Sequence, residues 1–336
     1  MAYDNTEALD LLADGFTPRS GSPLLGAGYD MSADDSWFQP TDFIGAFNGS
    51  DNWMDGWTVG VNSGVPSNVS SASAQGLAVN ASSDYPAITD KPVYRFNADT
   101  TITNDVVLTS DKHWVIKGRT AVGNDNADSA TLYIEPGTTL IGEVGDDFLV
   151  VRRGSKIEAL GNASAPVIMT SIQDMTGQAT DIGQWGGLVL LGNAPVNLCD
   201  GDGDDVADAG ELASCGIAAE GDAGVYGGDN PQDNSGTLRY VVVKYAGKAL
   251  AAGDELNGIS FAGVGSETTV DYIQVHKNLD DGVEFFGGSV DVKHLVLTAN
   301  GDDSFDWAFG WNGRAQYVLI KHDASFANRG IEGDNS

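Results

Sequence analysis

Apolar residues in this chain come in short runs, each closed by glycine, asparagine or aspartate. From about residue 91 onward HWVIKG, ATLYIEPGTTLIG, DFLVVRRGSKIEALG, APVIMTS, WGGLVLLG, LRYVVVKYAG, VDYIQVHKN, GVEFFGG, VDVKHLVLTAN and AQYVLIKHD follow one another. Val, Ile, Leu and Tyr alternate or run together in each, and turn residues bound them, which is the pattern of strands. No long window repeats its apolar residues with the helical period, so helix is expected to be nearly absent, apart from a short turn at NTEALDLL.

The strands repeat at a larger period. VDYIQVHKNLDDGVEFFGG begins at Val270, VDVKHLVLTANGDDSFDWAFGW at Val290 and AQYVLIKHDASFANRGIEGDN at Ala315. A unit in the low twenties, with two β-runs separated by an Asn/Asp-rich turn, is the mark of a solenoid, whose coils must stack to bury their inner faces. The expected fold is all-β, a right-handed parallel β-helix. A β-sandwich is the competitor, but it would carry more Asn-Gly and Asp-Gly hairpin turns.

Texture also divides the chain. Residues 1–60 contain SWFQPTDFIGAFNGSDNWMDGWTVG, with Trp37, Phe38, Phe43, Phe47, Trp53 and Trp57. So short a piece cannot bury that much aromatic surface in itself, so a capping or assembly segment that needs a partner surface is expected. Residues 61–90 are rich in Ser, Asn, Ala and Gly and nearly uncharged, the composition of a linker. Residues 91–336 are the expected solenoid.

Charge narrows the function. Lys and Arg total 17 against 48 Asp and Glu, a formal net charge of −31. Nucleic acid is excluded as a partner, because phosphate neutralisation dominates its binding, and anionic lipid is disfavoured. Divalent cations or a saline exterior suit such a chain. No run approaches the roughly 20 apolar residues of a membrane span. The opening MAYDNTEALDLL lacks the basic and apolar regions of a secretory signal, so a removed leader or one module of a longer chain is expected.

The densest acidic stretch is NLCDGDGDDVADAGELASCG at 197–216. Asp200, Asp202, Asp204, Asp208 and Glu211 stand at positions 1, 3, 5, 9 and 12 of a loop, with the Val206 carbonyl at position 7. That is the oxygen spacing of a calcium loop, and Ca²⁺ is the expected cofactor. Position 6, where a glycine is usual, is Asp205. The flanks read as strand and glycine-rich coil, so the loop is expected as an insertion between coils rather than an EF-hand domain. Cys199 and Cys215, the two cysteines of the chain, bracket it and read as one disulfide in an oxidising compartment; two buried thiols are the alternative. A merely solvated acidic loop is the plainer alternative to the calcium site.

A second acidic set lies in NLDDGVE (Asp280, Asp281, Glu284) and NGDDSFD (Asp302, Asp303, Asp306). Asp280 and Asp302 stand one coil apart and are expected to stack at about the 4.8 Å strand spacing. Ladders of like turn residues arise from coil stacking alone; a second cation site is the sharper alternative. His113, His276 and His294 fall in strands without companions at ligand spacing and are expected to be structural. No Ser-His-Asp set or phosphate loop has supporting context. Asn48, Asn68, Asn80 and Asn162 head Asn-x-Ser sequons, usually silent in bacteria.

From TLYIEPGTTLIG through FLVVRRGSKIEALGNASAPVIMTS to GQWGGLVLLGNAPVN, and again in NLDDGVEFFGGSVDVKHLVLTANGDDSFDWAFGWNGRAQYVLIKH, the chain resembles secreted bacterial β-helix proteins of the surface-protein and lipoprotein kind, with a pectate-lyase-like fold. The resemblance spans roughly residues 110–336. It implies an extracellular or cell-surface location in a bacterium and carries no agreed activity. In those proteins GSPLL…FQPTDFIGAF…DNWMDGWTV resembles a closing segment, which here comes first, while IEGDNS stops in mid-coil. Circular permutation, a fragment of tandem modules, head-to-tail polymerisation and folding back along the same chain all fit that order.

The stacked acidic turns also resemble those of polygalacturonase-type hydrolases, whose carboxylates act as general acid and base. His322 follows in the next coil, but Asp323 stands where those enzymes have glycine, and their Arg-x-Lys clamp is missing. The expected function is an extracellular structural subunit of a surface layer or filament, self-associating through residues 1–60 and stabilised by calcium. A carbohydrate-active or carbohydrate-binding β-helix with a polysaccharide partner is the alternative.

Overall fold

The computed structural model describes residues 68–200, 208–251, 254–323, 325 and 327–334, with residues 18, 21–30, 32, 42–43 and 65–66 ahead of them. The chain divides into two units, Met1–Asn68 and Val69–Ser336.

In the first unit Gly28 donates its N–H to the Asp42 carbonyl at 2.8 Å. A Cβ on Gly28 would stand 2.2 Å from the Phe43 carbonyl oxygen, so the close approach demands glycine. Phe43 is half-buried. Trp37, Phe38, Phe47, Trp53 and Trp57 lie outside the described residues.

The second unit winds strands into three stacked faces. The first face runs through Val106–Leu108, Thr131–Ile134, Lys156–Leu160 and the opening half of Gly236–Lys244. The second runs through Val93–Phe96, His113–Ile116, Thr139–Gly142, Val167–Ser171 and the closing half of Gly236–Lys244. Both continue through the long strands Thr269–His276, Val292–Thr298 and Ala315–Lys321. The third face stacks Thr101–Ile102, Arg119–Val122, Phe148–Val151, Gly187–Leu191, Ile259–Ala262, Val283–Phe286 and Phe305–Ala308. All these pairings are parallel, with paired residues 22 to 24 apart from Ile259 onward. The fold is a parallel β-helix, as the repeat predicts. The unit beginning at Val290 is in register two residues later, because Val292 is the partner of Val270.

First and second faces meet at a corner where the backbone turns left-handed without glycine. Tyr240, Tyr272, His294 and Tyr317 have φ of 49°, 56°, 51° and 62°. Bulky residues adopt that region only when their surroundings reward it. Here the rings stack coil upon coil, with centroids 4.4, 4.3 and 4.7 Å apart and planes within 12° of parallel. The ladder is open to solvent: Tyr317 is 62% exposed.

The interior is filled by like residues in columns. Phe285 is fully buried, 5.0 Å from the Phe261 ring and 5.1 Å from the Phe305 ring. Trp114 and Trp185 are buried with their indole N–H groups satisfied by the carbonyls of Thr109 and Lys244. Phe148–Val151, Gly187–Leu191 and Ile259–Ala262 are buried on both sides. That is why they read as continuous apolar runs rather than alternating ones. Residues from the 192–235 insertion, among them Val196, Cys199, Ala223 and Tyr226, pack on the outer side of this third face.

The linker expected over 61–90 needs correction from Val69 onward. Ser71 bridges to Val107, Ala78–Asn80 adds an antiparallel strand to Val93–Phe96, and Ala72, Ala78, Tyr85 and Ile88 are buried. Small alanines and serines read as flexible because they carry little apolar surface, yet they fit closely against the first coil. Helix is sparse, as expected. Two short α-helices among the described residues, Ile172–Met175 and Ala209–Ser214, both begin at side-chain caps, Ser171 and Asp208.

Candidate functional site: a buried carboxylate ladder

The turns leading into the third face carry the acidic residues. Asn257 precedes Ile259–Ala262, Asp280 and Asp281 precede Val283–Phe286, and Asp302 and Asp303 precede Phe305–Ala308. Parallel stacking places one side chain above another, and here each accepts a hydrogen bond from the backbone of the next coil. The Asn257 Oδ1 accepts from the Asp281 N–H at 3.1 Å, and the Asp281 Oδ1 accepts from the Asp303 N–H at 2.9 Å. The Asp303 Oδ1 accepts from the Arg329 N–H. Asp281 and Asp303 are buried, so one function of these turns is to satisfy main-chain donors.

That role leaves charge uncompensated. Asp280, Asp281 and Asp302 offer oxygens within 4.8 Å of one another, and so do Asp281, Glu284 and Asp306. Burial, with the Glu255 and Asp302 carboxylates, raises the pKa of Asp280 to about 7. Burial and neighbouring Asp280 push Asp281 up to about 9. Burial raises Asp303 to about 7, although Arg329 donates its N–H there, and Glu284 and Asp306 are also raised by burial. Among the described residues the ion pair these groups make is to Arg329, 3.8 Å from Asp303. Carboxylates this close cannot all ionise without a cation.

The structure therefore gathers Asp280, Asp281 and Asp302 into one set of hard oxygen donors on the turn, and Asp281, Glu284 and Asp306 into a second set that shares Asp281 with it. Asp280 and Asp302 share a site, as the one-coil spacing predicts. His322 is exposed beyond the end of its strand, beside Gly330, rather than in the ladder. The other histidines have structural partners. His113 lies 3.0 Å from Asp90, His276 is bonded to Thr298 at 2.8 Å, and His294 pairs with Asp271 at 2.7 Å.

The 197–216 loop takes a different form around its ends. Asp200 follows a 3₁₀ turn, Asn197–Cys199, and Asp202, Asp204 and Val206 lie outside the described residues. Asp208 caps Ala209–Ser214, accepting from Gly210 and Glu211, while the Glu211 carboxylate accepts from the Asp208 N–H. D-A-G-E is a capping box, a signal that competes with positions 9 and 12 of a calcium loop for the same two side chains.

Cys199 and Cys215 form the disulfide, with Cα atoms 5.5 Å apart. Arg153, paired with Asp125, donates to the carbonyls of Cys215 and Gly227, each at 2.8 Å. Gly227 has φ of 95°, and a Cβ there would stand 2.8 Å from the Cys215 sulfur. Gly227→Ala is therefore expected to cost about 1–3 kcal/mol through overpacking and backbone strain. Thermal unfolding under oxidising conditions checks this, and an unchanged midpoint would contradict it.

The family model for the pectate-lyase-like β-helix domain matches residues 100–336. The chain belongs to that family. No curated protein and no solved structure matches it. The match covers the three stacked faces, apart from Val93–Phe96, and the whole carboxylate ladder, so the β-helix family accounts for the scaffold that carries the site. No described helix is long and apolar enough to cross a membrane.

Proposed function

We propose that this β-helix is an extracellular structural protein of a bacterial surface layer or filament, with calcium bound between coils. The observation that carries the reading is the set Asp280, Asp281 and Asp302, whose oxygens lie within 4.8 Å of one another in a chain of net charge −31. Calcium takes six to eight oxygens at flexible geometry, and carboxylates from adjacent turns supply several of them. Bound between coils, the ion ties one coil to the next, which is where a solenoid gains cooperativity. The 197–216 loop, with Asp200, Asp202, Asp204, Val206, Asp208 and Glu211, is a second calcium position in this reading; there the ion shares Asp208 and Glu211 with the capping box. The disulfide fits an oxidising exterior. Residues 1–60, with Trp37, Phe38, Phe43, Phe47, Trp53 and Trp57, supply the contact between subunits, joined head to tail into an open polymer.

Calcium at 100 times its Kd is expected to stabilise the folded state by about 2.7 kcal/mol. Asp280→Asn with Asp302→Asn is expected to remove the share of that rise in melting temperature that comes from the inter-coil site, leaving only the share of the 197–216 loop. Electron microscopy of the purified protein checks the assembly: polymers that dissolve in chelator support it, and single particles at every concentration with calcium present refute it.

Carbohydrate cleavage is the second reading, and the family match fits it as well as it fits a structural role. An inverting hydrolase holds its two carboxyl groups about 6.5–9.5 Å apart to admit a water. Oxygens of Asp280 and Asp302 lie within 4.8 Å, closer than that arrangement needs. Glycan turnover lost on Asp302→Asn and Asp303→Asn would nevertheless restore the enzymatic reading.

A further inference from the structure

A cavity of about 370 Å³ separates the outer side of the third face from the disulfide-stapled insertion. Its floor is a row in register, Val189, Ser260 and Glu284, and its roof is the hairpin formed by Ile217–Ala218 with Val225–Tyr226. Most of the wall is aliphatic or aromatic. Three rings line it: Tyr226 and Phe286 are 6.2 Å apart, and Phe286 and Phe309 are 6.1 Å apart.

Two features mark this cavity as built to hold something. The charged side chains lining it, Glu220 from the insertion and Glu284 from the floor, are both acidic. Glu284 accepts from the Asn257 side-chain amide at 2.6 Å and has the oxygens of Asp281 and Asp306 close behind it. Among the described residues no lysine, arginine or histidine lines the space. Independently, Tyr226 is 97% buried, being 3% exposed, and its hydroxyl has no hydrogen-bond partner among the described residues. Both Glu220 and Glu284 are near enough to act electrostatically on that hydroxyl. Tyr226 lines the cavity, so this hydroxyl is open to a partner held there.

We propose that this cavity binds a small organic cation, a methylated ammonium group on a short apolar or hydroxylated body. Three aromatic rings with acidic side chains form the environment that attracts such an ion, through ring faces and carboxylate together. A hydrated metal ion is disfavoured, because apolar walls cannot replace its water, whereas methyl groups match them. The Tyr226 hydroxyl is free to hydrogen-bond a hydroxyl on the ligand. The site is separate from the calcium position, which lies on the turn and uses Asp280 and Asp302. It does not depend on that reading.

The test is titration of the folded, oxidised protein with choline and with its neutral isostere 3,3-dimethylbutan-1-ol, in calcium and in chelator. Choline is expected to saturate one site, with the isostere at least tenfold weaker. Glu284→Gln, which keeps the shape but removes the acidic group that a bound cation would hold ionised, is expected to weaken choline at least tenfold. Phe309→Leu, on the half-buried rim, is expected to weaken it several-fold without altering the circular dichroism spectrum. Asp280→Asn with Asp302→Asn is expected to leave choline affinity unchanged while weakening the calcium response. The proposal is overturned if the isostere binds as tightly as choline, if Glu284→Gln binds choline as the native chain does, or if choline does not bind at millimolar concentration. Loss of choline binding in the Asp280/Asp302 variant would also overturn it, by making the two sites one.

Discussion

In chelator, the protein is expected to lose stability as pH rises from about 4 toward about 9. Asp280 and Asp303 are raised to about 7 and Asp281 to about 9, from an ordinary value of 3.8. Between those limits the folded state holds protons that the unfolded state has released. The stability these protons confer is complete below the unfolded pKa and disappears as pH passes through the folded values. Asp90, Asp111 and Asp291, whose pKa values are lowered, act in the opposite sense, but only as pH falls below about 4. The carboxylate windows are therefore separate; within the upper one His276, which burial holds below its ordinary 6.5, acts in the opposite sense as pH rises toward that value. Calcium should reverse the upper trend, because it binds the deprotonated ladder and takes over the neutralisation that protons provide. Urea midpoints at about pH 5 and about pH 8, each with calcium and with chelator, measure this. Calcium should matter most at the higher pH. A midpoint that rises with pH in chelator would contradict both the direction and the calcium assignment.

Phe285→Ala is expected to lower the unfolding free energy by about 3–5 kcal/mol. Phe285 is fully buried between Phe261 and Phe305, and its ring also lies 4.7 Å from Trp311. Phe261 and Phe305 are held by their strands and Trp311 by its indole N–H bond to the Val290 carbonyl, so the space cannot collapse around the loss. Phe285→Leu, which keeps most of the volume, should cost less than about 1.5 kcal/mol by comparison. Urea unfolding of the three proteins measures the series, and a loss under about 1 kcal/mol for the alanine variant would mean the column is looser than it stands.

The scaffold was legible because a solenoid writes its coil length into the sequence. The repeat starting at Val270 and Ala315 falls on paired strands, and the runs at 148–151 and 187–191 are continuous because both their sides are covered. The stacking of Asp280 with Asp302 followed from the same period. Competition between local signals was harder to read. Asp208 and Glu211 fit a calcium loop by spacing and a capping box by type, and around the described end of that loop they form the box. The cavity under the hairpin joins Ser260 and Glu284 to Tyr226, residues united only once the insertion folds over the third face. No periodicity encodes such a meeting. Likewise Tyr240, Tyr272, His294 and Tyr317 differ in kind and become a ladder only through a shared left-handed corner.

In the run from Asn257 through Asp281 and Asp303 to Arg329, every acceptor is a side chain and every donor is a main-chain N–H. The upper partner in each step is thus indifferent to its own side chain. A whole coil could be duplicated or deleted between Asp281 and Asp303 and still find its bond, provided it ended on the same Asx. Length in this molecule can change by entire coils without renegotiating the turns, which makes it a scaffold whose reach natural selection can set by copying.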